Sequence, residues 1–217
     1  MKREIEPEIM SSEENEVYAK MNFKKLHGWY LKRLIKNFNL ENKKLIDIGT
    51  GSAHIPIQLA KKIKKISITG IDASKWMAEY SRKKIKKKGL TKKIKIIFEK
   101  IPSSKIPKNS YDIILSKVVL HHIKNPNVFW KEIKNLSKPG GLIYIMDLYR
   151  PKSNKILKEI LKESFSTHQD PLLLNTLEKS LKSAFTISEL KKQLKKAGLN
   201  LEIEIINKKY VLIFGTT

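Results

Sequence analysis

The sequence predicts an α/β fold built on a doubly wound, mostly parallel sheet. Two observations carry that reading. Short apolar runs near 44–48, 66–71, 94–98, 111–115 and 142–146 alternate with stretches of helical periodicity, the pattern of parallel strands joined by crossover helices. The last two runs, Leu201–Ile206 and Tyr210–Phe214, are separated only by Asn207-Lys208-Lys209, so they form a hairpin and bring antiparallel pairing to the end of the chain.

The elements follow in order. Ser11-Ser12-Glu13-Glu14 offers an N-cap with acids in the first turn, and Val17, Met21, Leu26, Tyr30, Leu34 and Phe38 recur at helical spacing. This gives a helical cap over residues 1–43, ahead of a main domain over 44–217. Lys44–Ile48 is a buried strand that stops at Gly49-Thr50-Gly51, with a helix from His54 to Lys64 behind it. Ile66–Ile71 is a strand ending at Asp72, and Ser74 caps a helix to Lys88 that Gly89 stops. Strands follow at Ile94–Phe98 and Tyr111–Leu115. A helical segment broken at Pro126 then runs to Leu136. Pro139-Gly140-Gly141 turns the chain into a strand over Leu142–Met146. From about 151 to 184 two helical stretches replace the alternation and read as a lid inserted after the fifth strand. Thr186 caps a last helix, closed by Gly198.

The chain has 217 residues with 45 Lys+Arg and 21 Asp+Glu, a formal net charge of +24, and no Cys. The lack of Cys excludes disulfides, Cys-ligated zinc, Fe–S clusters and thiol catalysis. No apolar run reaches the roughly 18 residues of a membrane span, and the N-terminus lacks the apolar core of a signal peptide, so a cytoplasmic protein is expected. Such a basic balance points toward polyanions, yet only Arg3, Arg33, Arg82 and Arg150 are Arg. Nucleic-acid recognition favours Arg forks and stacking aromatics, and a Lys/Ile/Asn-rich coding bias gives the same picture. The densest lysine runs (61–65, 83–88 and 92–93) fall at helix C-termini and before the third strand, opposite the edge where ligands bind.

That edge lies beyond the C-terminal ends of the strands. Gly49 and Gly51 let the backbone turn and approach a ligand, while the next helix offers free N–H groups. A dinucleotide fingerprint needs a small residue where His54 stands, and an acid ahead of the glycines, Asp47, suits a cation better than a pyrophosphate. Asp72, about 20 residues on, suits two ribose hydroxyls, or else caps the following helix.

The ordered set Asp47-Ile48-Gly49-Thr50-Gly51-Ser52-Ala53, Asp72, Tyr111–Ser116 with Val119-Leu120-His121-His122-Ile123, Leu136–Ile145 and Asp147–Pro151 resembles class I S-adenosylmethionine-dependent methyltransferases of the small-molecule, ubiquinone/menaquinone type. The resemblance covers about Leu45 to Phe214. It implies a Rossmann-like seven-stranded sheet and S-adenosylmethionine as methyl donor, with S-adenosylhomocysteine as product. It also implies a cofactor site at Asp47, Gly49, Thr50, Gly51, Ala53, Asp72, Ala73, Met77, Glu99, Lys100, Ile101, Ser116, Lys117 and His121. The chain departs from the family pattern at Ala53, where a third glycine is usual, and at Phe98-Glu99-Lys100-Ile101, where Gly-Asp-Ala often stands. Either Glu99 or Lys100 meets the adenine.

Transfer from a sulfonium needs mainly orientation of the acceptor, with a base only where the acceptor must lose a proton. His54 and His121 are the candidate bases. His27 and His168 are placed to reach in from the cap and lid, and the His spacing supports no metal site. The acceptor is expected to be a small molecule in a pocket shaped by the segments 18–30 and 149–185, whose Phe23, Trp29, Tyr30, Tyr149, Phe165 and Phe185 either line an apolar site or pack in the core. An RNA-modifying enzyme and a non-catalytic S-adenosylmethionine-binding protein are the alternatives. The oligomeric state is not legible.

Overall fold

The computed structural model describes residues 1–217 apart from 8, 10, 21, 22 and 166–169, and apart from the side chains of 12 and 23–27. His168 therefore lies outside the described residues, as do the side chains of His27 and Phe23. The elements are α1 (Ser12–Lys20), α2 (Phe23–Asn37), β1 (Lys43–Ile48), α3 (His54–Lys62), β2 (Ile66–Asp72), α4 (Lys75–Lys87), β3 (Ile94–Phe98), β4 (Tyr111–Lys117) and α5 (Pro126–Leu136). They continue with β5 (Ser137–Leu148), α6 (Asn154–Phe165), α7 (Pro171–Ser183), α8 (Ile187–Ala197), β6 (Glu202–Ile205) and β7 (Tyr210–Thr216). A short 3-10 helix spans Leu120–His122.

The helix ends follow the capping rules. Ser11 and Glu14 exchange side-chain and backbone hydrogen bonds ahead of α1, Ser74 accepts the Met77 N–H, and Thr186 and Glu189 close a capping box on α8. Gly198 ends α8 in the left-handed region.

The sheet runs β3-β2-β1-β4-β5-β7-β6. β1–β5 pair in parallel, and β7 lies antiparallel between β5 and β6. The strand order reverses between β1 and β4, and that switch point opens a crevice at their C-terminal ends. Neighbouring residues face opposite sides. Leu45, Ile113, Leu115 and Tyr144 join the core beneath α2, α3 and α4, while Ile46, Ile114, Ile143 and Ile145 join the core beneath α5 and α8. A smaller cluster of Leu148, Leu157, Ile160, Leu181 and Ala184 seats α6 and α7 on the end of β5.

Three local expectations are corrected. β5 begins at Ser137, because Tyr111 pairs with Ser137 and the Gly140 and Gly141 backbone bonds to Thr217, so the glycine turn lies inside the strand. β4 extends to Lys117 because its last residue still pairs with Met146. Tyr30 lies in the main core, its hydroxyl donating to the Tyr144 carbonyl at 2.9 Å, so this ring packs against the sheet and does not line an acceptor pocket.

The N-terminal arm packs on the lid. Arg3 donates to the carbonyls of Ser183, His121 and Ile123 and lies 3.9 Å from the Phe185 ring centroid. No helix among the described residues is long and apolar enough to cross a membrane.

Candidate active site

The crevice is built first by the turn after β1. Gly49 and Gly51 hold φ of +69° and +51°, a region that costs L-residues with side chains roughly 1–2 kcal/mol. A Cβ on Gly49 would lie 2.3 Å from Val119 Cγ2. The Gly49 and Thr50 N–H groups both donate to the Ile71 carbonyl at 2.9 Å. The Asp72 carboxylate accepts the Gly51 N–H at 2.7 Å and the Ser74 N–H at 2.9 Å. One acid at the end of β2 thus holds the glycine turn and starts α4. Burial raises its pKa, and those two N–H groups oppose the rise.

The crevice encloses about 1020 Å³ counted to its open mouth. Of the expected cofactor residues, Gly49, Gly51, Asp72, Ala73, Met77, Glu99, Lys100, Ile101 and Lys117 line it. Asp47, Thr50 and His54 line a notch behind the glycine turn. The Thr50 hydroxyl donates to the Asp47 carboxylate at 2.8 Å. Burial pushes Asp47 up to about 7, with Thr50 opposing the shift and nearby Asp72 adding to it.

Three expected residues face neither cavity. Ala53 is fully buried as the left-handed cap of α3. Ser116 is fully buried, its hydroxyl donating to the Ile48 carbonyl at 3.1 Å, so it braces β4 against β1. His121 is fully buried beneath the site. Its Nδ1 lies 2.5 Å from Asp147 Oδ1 and its Nε2 lies 3.3 Å from Glu6 Oε1. Burial opposes its charge, but the two carboxylates outweigh that and push its pKa up to about 9. With a carboxylate beside each ring nitrogen and no face on either cavity, His121 forms a clasp between the end of β4, β5 and the N-terminal arm. Asp147 also accepts the N–H groups of Val119 and Leu120, which sets the path of the chain leaving β4.

His54 stays neutral: burial, then Lys84 and Lys117, lower its pKa to about 4. His122, its Nδ1 3.1 Å from Glu6 Oε1, lines the crevice. Burial and the charge on His121 bring it down to about 4. Glu6, His121 and His122 each place one metal-capable ligand atom within 4.8 Å of the others. The spacing of the histidines does not reveal this cluster, because its carboxylate comes from the N-terminal arm.

Beside the crevice lies a cavity of about 730 Å³ under the lid, lined by Tyr18, Lys117, Val118, Leu148, Ser164, Leu173, Leu174, Thr176, Leu177, Ser180, Lys209 and Tyr210. Apart from Phe23, whose side chain is not among those described, the aromatic residues expected to form an acceptor pocket lie elsewhere. Tyr30, Tyr149 and Phe185 pack in the two main cores, and Trp29 and Phe165 are exposed. The wall comes instead from the leucines of α7, whose period fits core packing equally well. Tyr18, Thr176 and Ser180, like those leucines, fall within the segments 18–30 and 149–185 expected to shape the pocket, but no spacing singled them out, and Val118 lies outside those segments.

A family model described as a methyltransferase domain matches residues 39–201. Among curated proteins, the ubiquinone biosynthesis O-methyltransferase of Pelagibacter ubique is 32% identical over 152 residues, covering 63% of this chain and 58% of its own length. A demethylmenaquinone methyltransferase of Bacteroides fragilis is 26% identical over 109 residues, covering 50% of this chain and 44% of its own. The chain thus spans about half the length of these relatives. Among solved structures, a SAM-dependent methyltransferase from Aquifex aeolicus superimposes with a TM-score of 0.74 at 19% identity, covering 96% of this chain and 99% of its own. At that identity the likeness shows the fold, a seven-stranded sheet with an antiparallel strand near its C-terminal edge. The family match takes in the glycine turn, Asp72, Lys117 and the 3-10 helix, and the chain belongs to the methyltransferase domain family.

Proposed function

We propose that this protein transfers the methyl group of S-adenosylmethionine to a small-molecule acceptor. The observation that carries the reading is the Gly49–Gly51 turn tied to Asp72. The turn leaves a cradle that a Cβ at Gly49 would fill, and the carboxylate beside it is placed for ribose hydroxyls. Ile48, Ile71, Met77 and Ile101 supply apolar walls for a flat ring. Asp72 in the crevice, with Asp47 behind the turn, makes the turn side carboxylate-rich, which suits a sulfonium better than a pyrophosphate. The residues therefore fit S-adenosylmethionine, which when bound would supply an activated methyl group.

The chain's own residues do the rest. The glycine turn and Asp72 fix the donor's place. The lid helix α7 walls the neighbouring cavity. That cavity orients an acceptor toward the crevice, and orientation contributes roughly 7–11 kcal/mol in ideal intramolecular cases. The names of the relatives, quinone-biosynthesis methyltransferases among them, support a small-molecule acceptor. The lysines at the ends of α3 and α4 lie at the opposite edge of the sheet, which does not favour an RNA channel into the site. The same reading keeps 1–43 as a cap, 44–217 as the catalytic domain and 151–184 as its lid. A cytoplasmic setting belongs to it as well.

Calorimetric titration with S-adenosylhomocysteine, with NAD in parallel, tests this. Micromolar binding of the first, lost in Asp72→Ala, is expected. Binding of NAD instead, or of neither, would overturn it.

A further inference from the structure

Lys117 has a position that its part in the fold does not explain. It ends β4, is 6% exposed, and its Nζ has no hydrogen-bond partner. Lysines are almost never buried without a pair. Titratable and aromatic groups from several elements act on the amine or line the same cavities. They are Asp47 from β1 and Asp147 from β5, His54 from α3, Tyr18 from α1, Lys209 just ahead of β7, and Tyr210 from β7, its ring centroid 5.7 Å away. Burial brings the pKa of the amine down to about 8, with Asp147 and Asp47 limiting the drop. The next residue, Val118, holds φ +60°, a genuine outlier for a β-branched side chain. Strain of this kind persists only where surrounding structure imposes it, and it gathers at functional sites. Here the Val118 N–H bonds to the Met146 carbonyl at 2.8 Å.

The amine also stands where two ligands would meet. Lys117 and Tyr18 line the crevice, the notch behind the glycine turn and the lid cavity alike. The lid cavity is walled by Val118, Leu148, Leu173, Leu174 and Leu177, and its charged groups are Lys117 and Lys209. No carboxylate lines it among the described residues. A cationic amine acceptor would therefore meet two lysines and no counter-charge. An oxygen acid would meet a proton acceptor at one end and apolar walls along its body.

We propose that Lys117 is the catalytic base, and that its substrate is an apolar molecule carrying an acidic hydroxyl, a phenol or enol, held in the lid cavity. The neutral amine takes the hydroxyl proton, and the O–H pair stays on oxygen. That oxygen forms the new bond to the methyl carbon while the carbon–sulfur pair leaves with the sulfur of the sulfonium donor. The ammonium then returns its proton to water.

This rests on the methyl-transfer reading, so the test separates the two. 4-Nitrophenol, whose phenolate absorbs in the visible, is titrated against the protein across pH, with S-adenosylhomocysteine binding followed by calorimetry in parallel. In the wild type the bound dye should ionise about one pH unit below the free dye, a tenfold shift. Lys117→Met should abolish that shift while circular dichroism shows the fold intact. Leu174→Trp, which fills the cavity away from Lys117, should abolish dye binding and keep S-adenosylhomocysteine binding. An unchanged shift in Lys117→Met, or no dye binding to the wild type, would overturn the proposal. Dye results as expected without S-adenosylhomocysteine binding would overturn only the donor assignment.

Discussion

The two sides of the crevice are made in different ways. The β1–α3–β2 side is local: Gly49, Gly51 and Asp72, with Asp47 behind the turn, all lie within one strand–turn–helix–strand unit, and backbone geometry does most of the work. The side at the end of β4 is assembled from afar. Lys117 comes from β4, His122 from the 3-10 helix, Tyr18 from α1, and Thr176 and Ser180 from α7, with the contacts of His121 to Asp147 of β5 and Glu6 of the N-terminal arm beneath them. The first side tolerates little because its conformation is fixed. The second is where acceptor chemistry has room to vary.

Substitutions in the local side should have the largest effects. Gly49→Ala places a Cβ 2.3 Å from Val119 Cγ2 at a φ of +69°. Left-handed strain alone costs about 1–2 kcal/mol, and the clash adds to it. We expect a melting temperature several degrees lower and no detectable S-adenosylhomocysteine binding, read by calorimetry and thermal melts. A variant with wild-type affinity would dissolve the contrast between the sides. Asp72→Asn keeps the shape and removes the charge. A loss of about 10- to 100-fold in S-adenosylhomocysteine affinity is expected, roughly 1.4–2.8 kcal/mol, with circular dichroism unchanged.

The side assembled from afar should show itself in pH dependence. The folded-state pKa of His121, about 9, lies above the unfolded value near 6.5. Its contribution to stability is therefore full below about pH 6.5 and is lost as pH rises through 9. Melting temperature should fall across that window in the wild type and less steeply in His121→Gln. Identical slopes would mean that the Asp147–His121–Glu6 clasp does not form. Glu6→Gln should have a smaller effect, loosening the arm and raising proteolytic cleavage near residues 1–7 while S-adenosylhomocysteine affinity changes less than about threefold. The smallest effect belongs to Lys86→Gln/Lys87→Gln/Lys88→Gln at the end of α4, behind both sides of the crevice. Acceptor and S-adenosylhomocysteine affinities should stay within about twofold, and a strong loss would bring back a polyanionic substrate.

The contrast also sets what could be read in advance. Ser74, Thr186 and Gly198 announced their helix ends because caps are chemistry between near neighbours. Gly49 and Gly51 announced a turn because backbone freedom is written in residue type. The Glu6 contact to His121 left no trace, since nothing in a run of acids and lysines marks which one crosses the molecule. Ser116 and Ala53 sit in the right motif yet face away from the cavity, because pleat and cap geometry decide which way a side chain points.

By itself the sequence determined the alternating α/β plan, the antiparallel close of the sheet, and the glycine turn with its two acids. All three rest on periodicity, on turn chemistry and on short spacings along one chain. The tertiary structure decided that His121 is buried between two carboxylates, that the Lys117 amine is buried without a hydrogen bond, and that the lid leucines rather than the expected aromatics wall the second cavity. Those outcomes depend on desolvation and on charges brought together from distant elements, and both come into being only when the chain packs.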